Sequence, residues 1–153
     1  KKISHISKIA KKKHIWNYDY DEIGYNYKLS NINAALGYAQ FKKLNKYILN
    51  KRSLFKVYDT YFSKYKFGYI KKEPKNSKSN YWLQTLMLYK DDLKIRDKII
   101  NTLNKHKINV RPIWKLIHTL NHFSSFPRMN LSQSIKLEKK IINLPSSSNL
   151  RIK

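Results

Sequence analysis

The 153-residue chain has no cysteine. Disulfides and thiolate metal sites are thereby excluded, and the usage fits a cytoplasmic protein. Glycine occurs three times, as Gly24, Gly37 and Gly68, too sparsely for a glycine-rich phosphate cradle. Acidic residues number 9 against 33 lysines and arginines. Lying mostly beside lysines, they offer no carboxylate pair for acid–base chemistry, and a self-contained active site is not expected. His5, His14, His106, His118 and His122 show no metal-ligand spacing with nearby carboxylates. His118 and His122 could share a helix face but lack a third ligand, so no metal site is expected. No apolar run approaches the ~20 residues that span a bilayer, so no membrane partner is expected. Lys1 to Lys13 has no apolar stretch of secretory-signal length.

What is present is charge and aromatic surface. The formal net charge is +24, with 41% hydrophobic and 14% aromatic residues, a mixture that supports one folded core. A balance this basic raises nucleic acid as a partner. Two features count against it. All but five of the basic residues are lysine, whereas planar phosphate and base-edge recognition favours arginine. The lysines also run the whole length, together with abundant Asn, Ile, Tyr and Phe, a set that shares AT-rich codons. Position 1 is Lys, and the two methionines are Met87 and Met129; the chain reads as a piece of a longer protein.

Helical spacing begins at Ile32 after Ser30 or Asn31, either of which suits an N-cap. Ile32, Ala35, Leu36, Ala39, Leu44, Tyr47 and Ile48 continue it, then Leu54, Tyr58, Tyr61 and Phe62. The pattern predicts one helix over about 31 to 66, ended near Gly68 in a left-handed C-terminal conformation. Residues 69 to 80 read as a polar loop and Tyr81 to Tyr89 as a buried strand. A second helix starts at Asp91 or Asp92, carries Leu93, Ile95, Ile99, Ile100 and Leu103, and closes at Lys105-His106-Lys107. Ile108 to Arg111 reads as a strand halted by Pro112, followed by an irregular aromatic stretch with a helical turn at Ile117 to Leu120. A third helix, capped by Ser132 or Ser134, takes in Ile135, Leu137, Ile141 and Ile142. The class is α/β, with a small α+β unit after the long helix.

Gly24-Tyr25-Asn26-Tyr27-Lys28-Leu29-Ser30-Asn31-Ile32-Asn33-Ala34-Ala35-Leu36-Gly37-Tyr38-Ala39-Gln40 resembles a signature of the DegT/DnrJ/EryC1/StrS sugar aminotransferases, which depend on pyridoxal 5'-phosphate. Val110 to His118, Phe126 to Met129 and Ile142 to Ser147 resemble later segments of the same family, in the same order. They are most similar to the branch that aminates UDP-linked 4-keto-6-deoxy-N-acetylhexosamines on routes to bacillosamine and legionaminic acid. The resemblance implies the C-terminal small domain and long interdomain helix of a fold-type I transferase. Residues 1–30 would be a remnant of the large cofactor domain, 31–67 the interdomain helix and 68–153 the small domain.

Site roles follow from the resemblance alone. Asn26 would reach across a dimer interface to the cofactor phosphate, a neutral amide donating without adding a titrating group. Lys28 stands where an arginine usually meets the nucleotide-sugar phosphates; it keeps the charge without the bidentate fork. Arg111 and His118 are substrate-side candidates, with a surface arginine at a strand end and a partly buried loop histidine as the alternatives. Tyr20 stands where the family often has histidine. The Schiff-base lysine and the aspartate partner of the pyridine ring belong upstream of the GYN stretch, so no catalytic residue is assigned. The expected partners are a homodimer mate or a separate N-terminal half, and a nucleotide sugar. The fragment is expected to be inactive alone. The alternatives are a basic nucleic-acid-binding module and a non-catalytic interaction or pseudogene remnant of the same fold.

Overall fold

The computed structural model describes residues 1–13 and 20–150. The chain divides into two compact units, Lys1–Leu44 and Asn45–Lys153.

The first unit begins with a five-residue helix, α1 (Lys2–Ile6). The next residues turn and meet the GYN segment through isolated bridges. Lys8 and Asn26 form one isolated antiparallel bridge and Lys11 and Tyr20 another. The Tyr25 and Tyr27 amides donate to Ile6 O and Ser7 O, and the Ile9 amide donates to Tyr25 O. Ile9 and Ala10 both take left-handed backbone angles, φ 61° and 50°, an uncommon state for residues with a Cβ. Ala10 is the one fully buried residue among those described in this unit. The unit closes with α2 (Asn31–Phe41), none of whose residues is buried. Ser30 is its N-cap, accepting from the Asn33 amide at 3.3 Å.

The helical pattern beyond is not one uninterrupted helix. α2 stops at Phe41, Lys42 and Lys43 turn, and α3 spans Leu44–Phe62. Lys42 keeps right-handed helical angles, while the Lys43 amide bonds three residues back to Gln40 O. The turn is therefore tightened locally, which a side-chain period cannot register. Nor does Gly68 end a helix. No glycine has positive φ, and Gly68 opens a strand. Its role is close approach: a Cβ there would lie 2.6 Å from the Met87 carbonyl oxygen.

The second unit is a four-stranded antiparallel sheet in the order β1-β2-β4-β3. Its strands are β1 (Gly68–Ile70), β2 (Gln84–Leu88), β3 (Arg111–Pro112) and β4 (Ile141–Leu144). β1 was not foreseen; the polar residues after it hide a three-residue strand. β3 begins at Arg111 and includes Pro112, which an edge strand tolerates because the absent N–H faces no neighbour. Ile141 and Ile142 were expected in a helix and instead form the centre of the sheet. The helix before them, α5 (Ser132–Glu138), ends early, and the β-branched pair takes extended backbone, where it packs better. Asn130, not Ser132 or Ser134, supplies the side-chain oxygen at its start, accepting from the Ser132 amide at 2.9 Å.

Register aligns Gln84 with Leu144 and Leu86 with Ile142, and Ile70 with Leu86. Alternation puts Ile70, Leu86, Leu88, Ile142 and Leu144 in one cluster with Ile100 and Val110. Phe55, Tyr58 and Phe62 of α3 pack against it, as do Ile99 and Leu103 of α4 (Leu93–Lys105). Asp92 caps α4, its Oδ1 accepting from the Lys94 and Ile95 amides.

Candidate functional site

In the first unit the site is a stretch of backbone held by a glycine. A Cβ on Gly24 would lie 2.3 Å from Ile9 C and 2.4 Å from Ala10 N, so only glycine lets the two segments cross. Beyond it, Tyr25 and Tyr27 stack on one side of the extended chain, their ring centroids 5.4 Å apart. Asn26 alternates to the other side. It is exposed, and among the described residues its side-chain amide has no hydrogen-bond partner. Lys28 is exposed two residues on. The first turn of α2 contains no acidic residue, so its amides present uncancelled positive potential. An amide donor and a helix start suit an anionic group such as the phosphate of the expected coenzyme.

Nearby, His5 Nε2 lies 2.6 Å from Asp21 Oδ1. Its hydrogen bond, with the charge of His5 and Lys12 adding to it, holds the Asp21 carboxyl below its usual value. The separation of sixteen positions concealed this pairing from inspection of spacing. Glu22, the third acidic or imidazole group there, faces Lys2 at 3.8 Å. His14 lies outside the described residues.

In the second unit a groove of about 1030 Å³ runs beside β3 and β4. Arg111, Lys107, Trp82 and Trp114 line it, with Asn143 and Ser147. The tryptophans stack at 5.9 Å between centroids and 29° between planes, and each is 64% exposed. Trp82 was expected inside a buried strand; β2 begins two residues later, and Trp82 faces out while Tyr81 faces in. Tyr81 takes a left-handed backbone angle, φ 46°, which no side-chain period in the sequence announces.

One wall is pinned by α3. Asn50 Nδ2 donates to Ser148 O, and the Tyr58 hydroxyl donates to Pro145 O. Lys51 Nζ donates to both Trp82 O and Ser146 O, and burial lowers its pKa. Lys51 thus ties the Trp82 backbone to the loop after β4. Beneath, Gln84 is fully buried. Its Nε2 donates to Lys51 O, and its Oε1 has no partner among the described residues.

His118 does not share this groove. It sits half-buried in a 3-10 turn (Ile117–Thr119), lining a neighbouring apolar groove of about 600 Å³ with Leu116, Phe123 and Phe126. Trp114 borders both grooves. Arg111 and His118 thus line different grooves, and Asn26 and Lys28 belong to the other unit.

The family model described as the DegT/DnrJ/EryC1/StrS aminotransferase family matches residues 1–153. EpsN of Bacillus subtilis, named as a pyridoxal phosphate-dependent aminotransferase, is 34% identical over 140 residues. The match covers 88% of this chain and 35% of EpsN. GDP-perosamine synthase of Vibrio cholerae is 30% identical over 132 residues, 84% of this chain and 35% of that protein. Among solved structures, Helicobacter pylori PseC, an aminotransferase involved in the biosynthesis of pseudoaminic acid, superposes with a TM-score of 0.83 at 21% identity. The superposition covers 97% of this chain and 41% of PseC. The chain therefore spans about a third of the length of the curated relatives it matches. Among the described residues, no helix is long and apolar enough to cross a membrane.

Proposed function

Because the chain belongs to the DegT/DnrJ/EryC1/StrS family of pyridoxal phosphate-dependent sugar aminotransferases, we propose that it is the C-terminal part of such an enzyme. The intact enzyme moves an amino group from glutamate to a nucleotide-linked 4-keto sugar, for bacterial surface glycan synthesis in the cytoplasm. When bound, the coenzyme carries the amino group between donor and acceptor. In this reading residues 1–30 complete the large coenzyme domain, 31–67 connect, and 68–153 form the small domain.

Asn26 is the residue that carries the proposal. Gly24 fixes the backbone before it, stacked Tyr25 and Tyr27 hold the strand, and its amide is left free to donate to a phosphate across a dimer interface. Lys28 supplies charge toward the nucleotide-sugar phosphates, and Arg111 and His118 act on the substrate side. The 4-keto-6-deoxy-N-acetylhexosamine carried by UDP is the proposed acceptor.

The test is a chimera in which this chain replaces the C-terminal part of Bacillus subtilis EpsN. The chimera is expected to aminate a UDP-4-keto sugar, and Asn26→Ala to weaken its retention of coenzyme. This chain alone, mixed with coenzyme, is expected to show neither turnover nor the visible band of a bound coenzyme. A folded, coenzyme-loaded chimera that leaves every nucleotide-linked keto sugar unaminated overturns the reading.

A further inference from the structure

The first unit also holds a concave cup of about 780 Å³. Five lysines line it, Lys1, Lys8 and the run Lys11-Lys12-Lys13, together with Ser4 and His5. Among the described residues no carboxylate and no aromatic ring joins them. Lys1, Ser4 and His5 fall on one face of α1. The carboxylates described in this unit, Asp21 and Glu22, are taken up by His5 and Lys2, and Asp21 also feels the charge of Lys12. The Lys1, Lys8 and Lys13 side chains, by contrast, have no hydrogen-bond or ion-pair partner among the described residues. Packing gives no reason to gather like charges round one cavity, because they repel one another. A cleft lined by one sign of charge concentrates counter-ions instead.

We propose that this cup binds an oligophosphate, three or more phosphates in a row, with Lys1, Lys8 and Lys13 as its principal contacts. Inorganic polyphosphate and the tail of a nucleoside triphosphate share this chemistry. Lysine is a point charge with rotatable donors, suited to phosphates that turn freely along a chain. A carboxylate ligand would favour the planar fork of arginine, and no arginine lines the cup. Nor does it offer a ring on which the bases of a single strand would stack. Ile3, exposed at 86%, lies on the opposite side of α1. This face therefore has no apolar anchor for a lipid surface. The ligand class follows from the cup alone and is independent of the aminotransferase reading.

The experiment is calorimetric titration of the 153-residue chain with tripolyphosphate, ATP and inorganic phosphate. It is run at about 150 mM salt, where exposed charges are largely screened. Tripolyphosphate is expected to saturate one site and to bind at least about tenfold tighter than inorganic phosphate. ATP binding equally well identifies the phosphate tail as the ligand, and much weaker ATP assigns the cup to the inorganic chain. Lys8→Gln with Lys13→Gln should weaken tripolyphosphate about tenfold or more, as loss of charge-assisted contacts predicts. Lys1→Gln with Lys13→Gln, neither of them in a bridge, should do the same, which separates the loss from any folding defect. Lys94→Gln with Lys98→Gln on α4 removes the same charge from the second unit and should change nothing. Lys8 is bridged to Asn26, so tripolyphosphate should also slow amide exchange at Ile9, Tyr25 and Tyr27 and leave β2 and β4 unaltered.

Three results overturn the inference. One is no saturable binding of tripolyphosphate. Another is an equal loss from the α4 pair, which marks general attraction to a chain of net charge +24. The last is displacement of tripolyphosphate by an oligothymidine of about ten nucleotides, which assigns the cup to nucleic acid. None of these touches the aminotransferase reading, which the chimera decides separately.

Discussion

Gly24 shows how much one missing methyl group can decide. The atoms a Cβ would strike belong to backbone, not to a side chain that could swing away. Gly24→Ala should therefore detach the GYN segment from residues 6–10. Amide exchange at Ile9, Tyr25 and Tyr27 is expected to accelerate strongly, with β2 and β4 amides unchanged; equal protection in the variant would refute the crossing. Lys107 presents the opposite case, a side chain where glycine fits better. Its φ of 60° and the bonds Lys107 N to Asn104 O and Ile108 N to Leu103 O make a Schellman turn after α4. Lys107→Gly should stabilise the second unit by about 1 kcal/mol, read as a raised urea midpoint. Glu73 gives the pH dependence. The two bonds from the Arg52 guanidinium, then the Ser79 amide, hold its carboxyl down at about 2. Its folded value lies below the unfolded value of about 4.3. The stabilisation is therefore complete above that unfolded value and is lost as pH falls toward 2. Glu73→Gln is expected to be less stable at neutral pH and to lose this acid-side slope in urea titrations run from about pH 6 to pH 2.5.

Elements were legible where a cap or a local period specified them. Ser30 and Asp92 announced α2 and α4, and both act as caps. Strands were harder, because pairing across long separations decides them. Ile141-Ile142 fits a helical period with Ile135, yet β2 lies more than fifty residues upstream and recruits it as the central strand. Ile142 has no exposed surface, and Ile142→Ala should cost about 2–5 kcal/mol, the usual range for such a cavity, in a denaturant titration of the second unit. A cost below about 1 kcal/mol would mean that the core lies elsewhere. The site was legible in the same uneven way. Asn26 is a candidate because of a contiguous motif, whereas the pairing of Trp82 with Trp114 joins residues that only the fold brings together.

For the molecule as a whole, the unmatched feature is α2. Ile32, Leu36 and Phe41 are 81%, 58% and 71% exposed, and the helix carries no charged residue. Such surface is usually covered by a partner. The isolated chain should therefore self-associate, with sedimentation velocity showing mass that rises with concentration, and Leu36→Lys with Phe41→Lys should suppress it. A strictly monomeric wild type across the accessible range would show that α2 stays solvated. The exposed Lys42–Lys43 turn adds a practical consequence. Trypsin cuts after lysine, so a brief digestion can sever the polypeptide there. The product starting at Leu44 would retain all four strands and both indoles, a miniature suited to crystallising the second unit on its own.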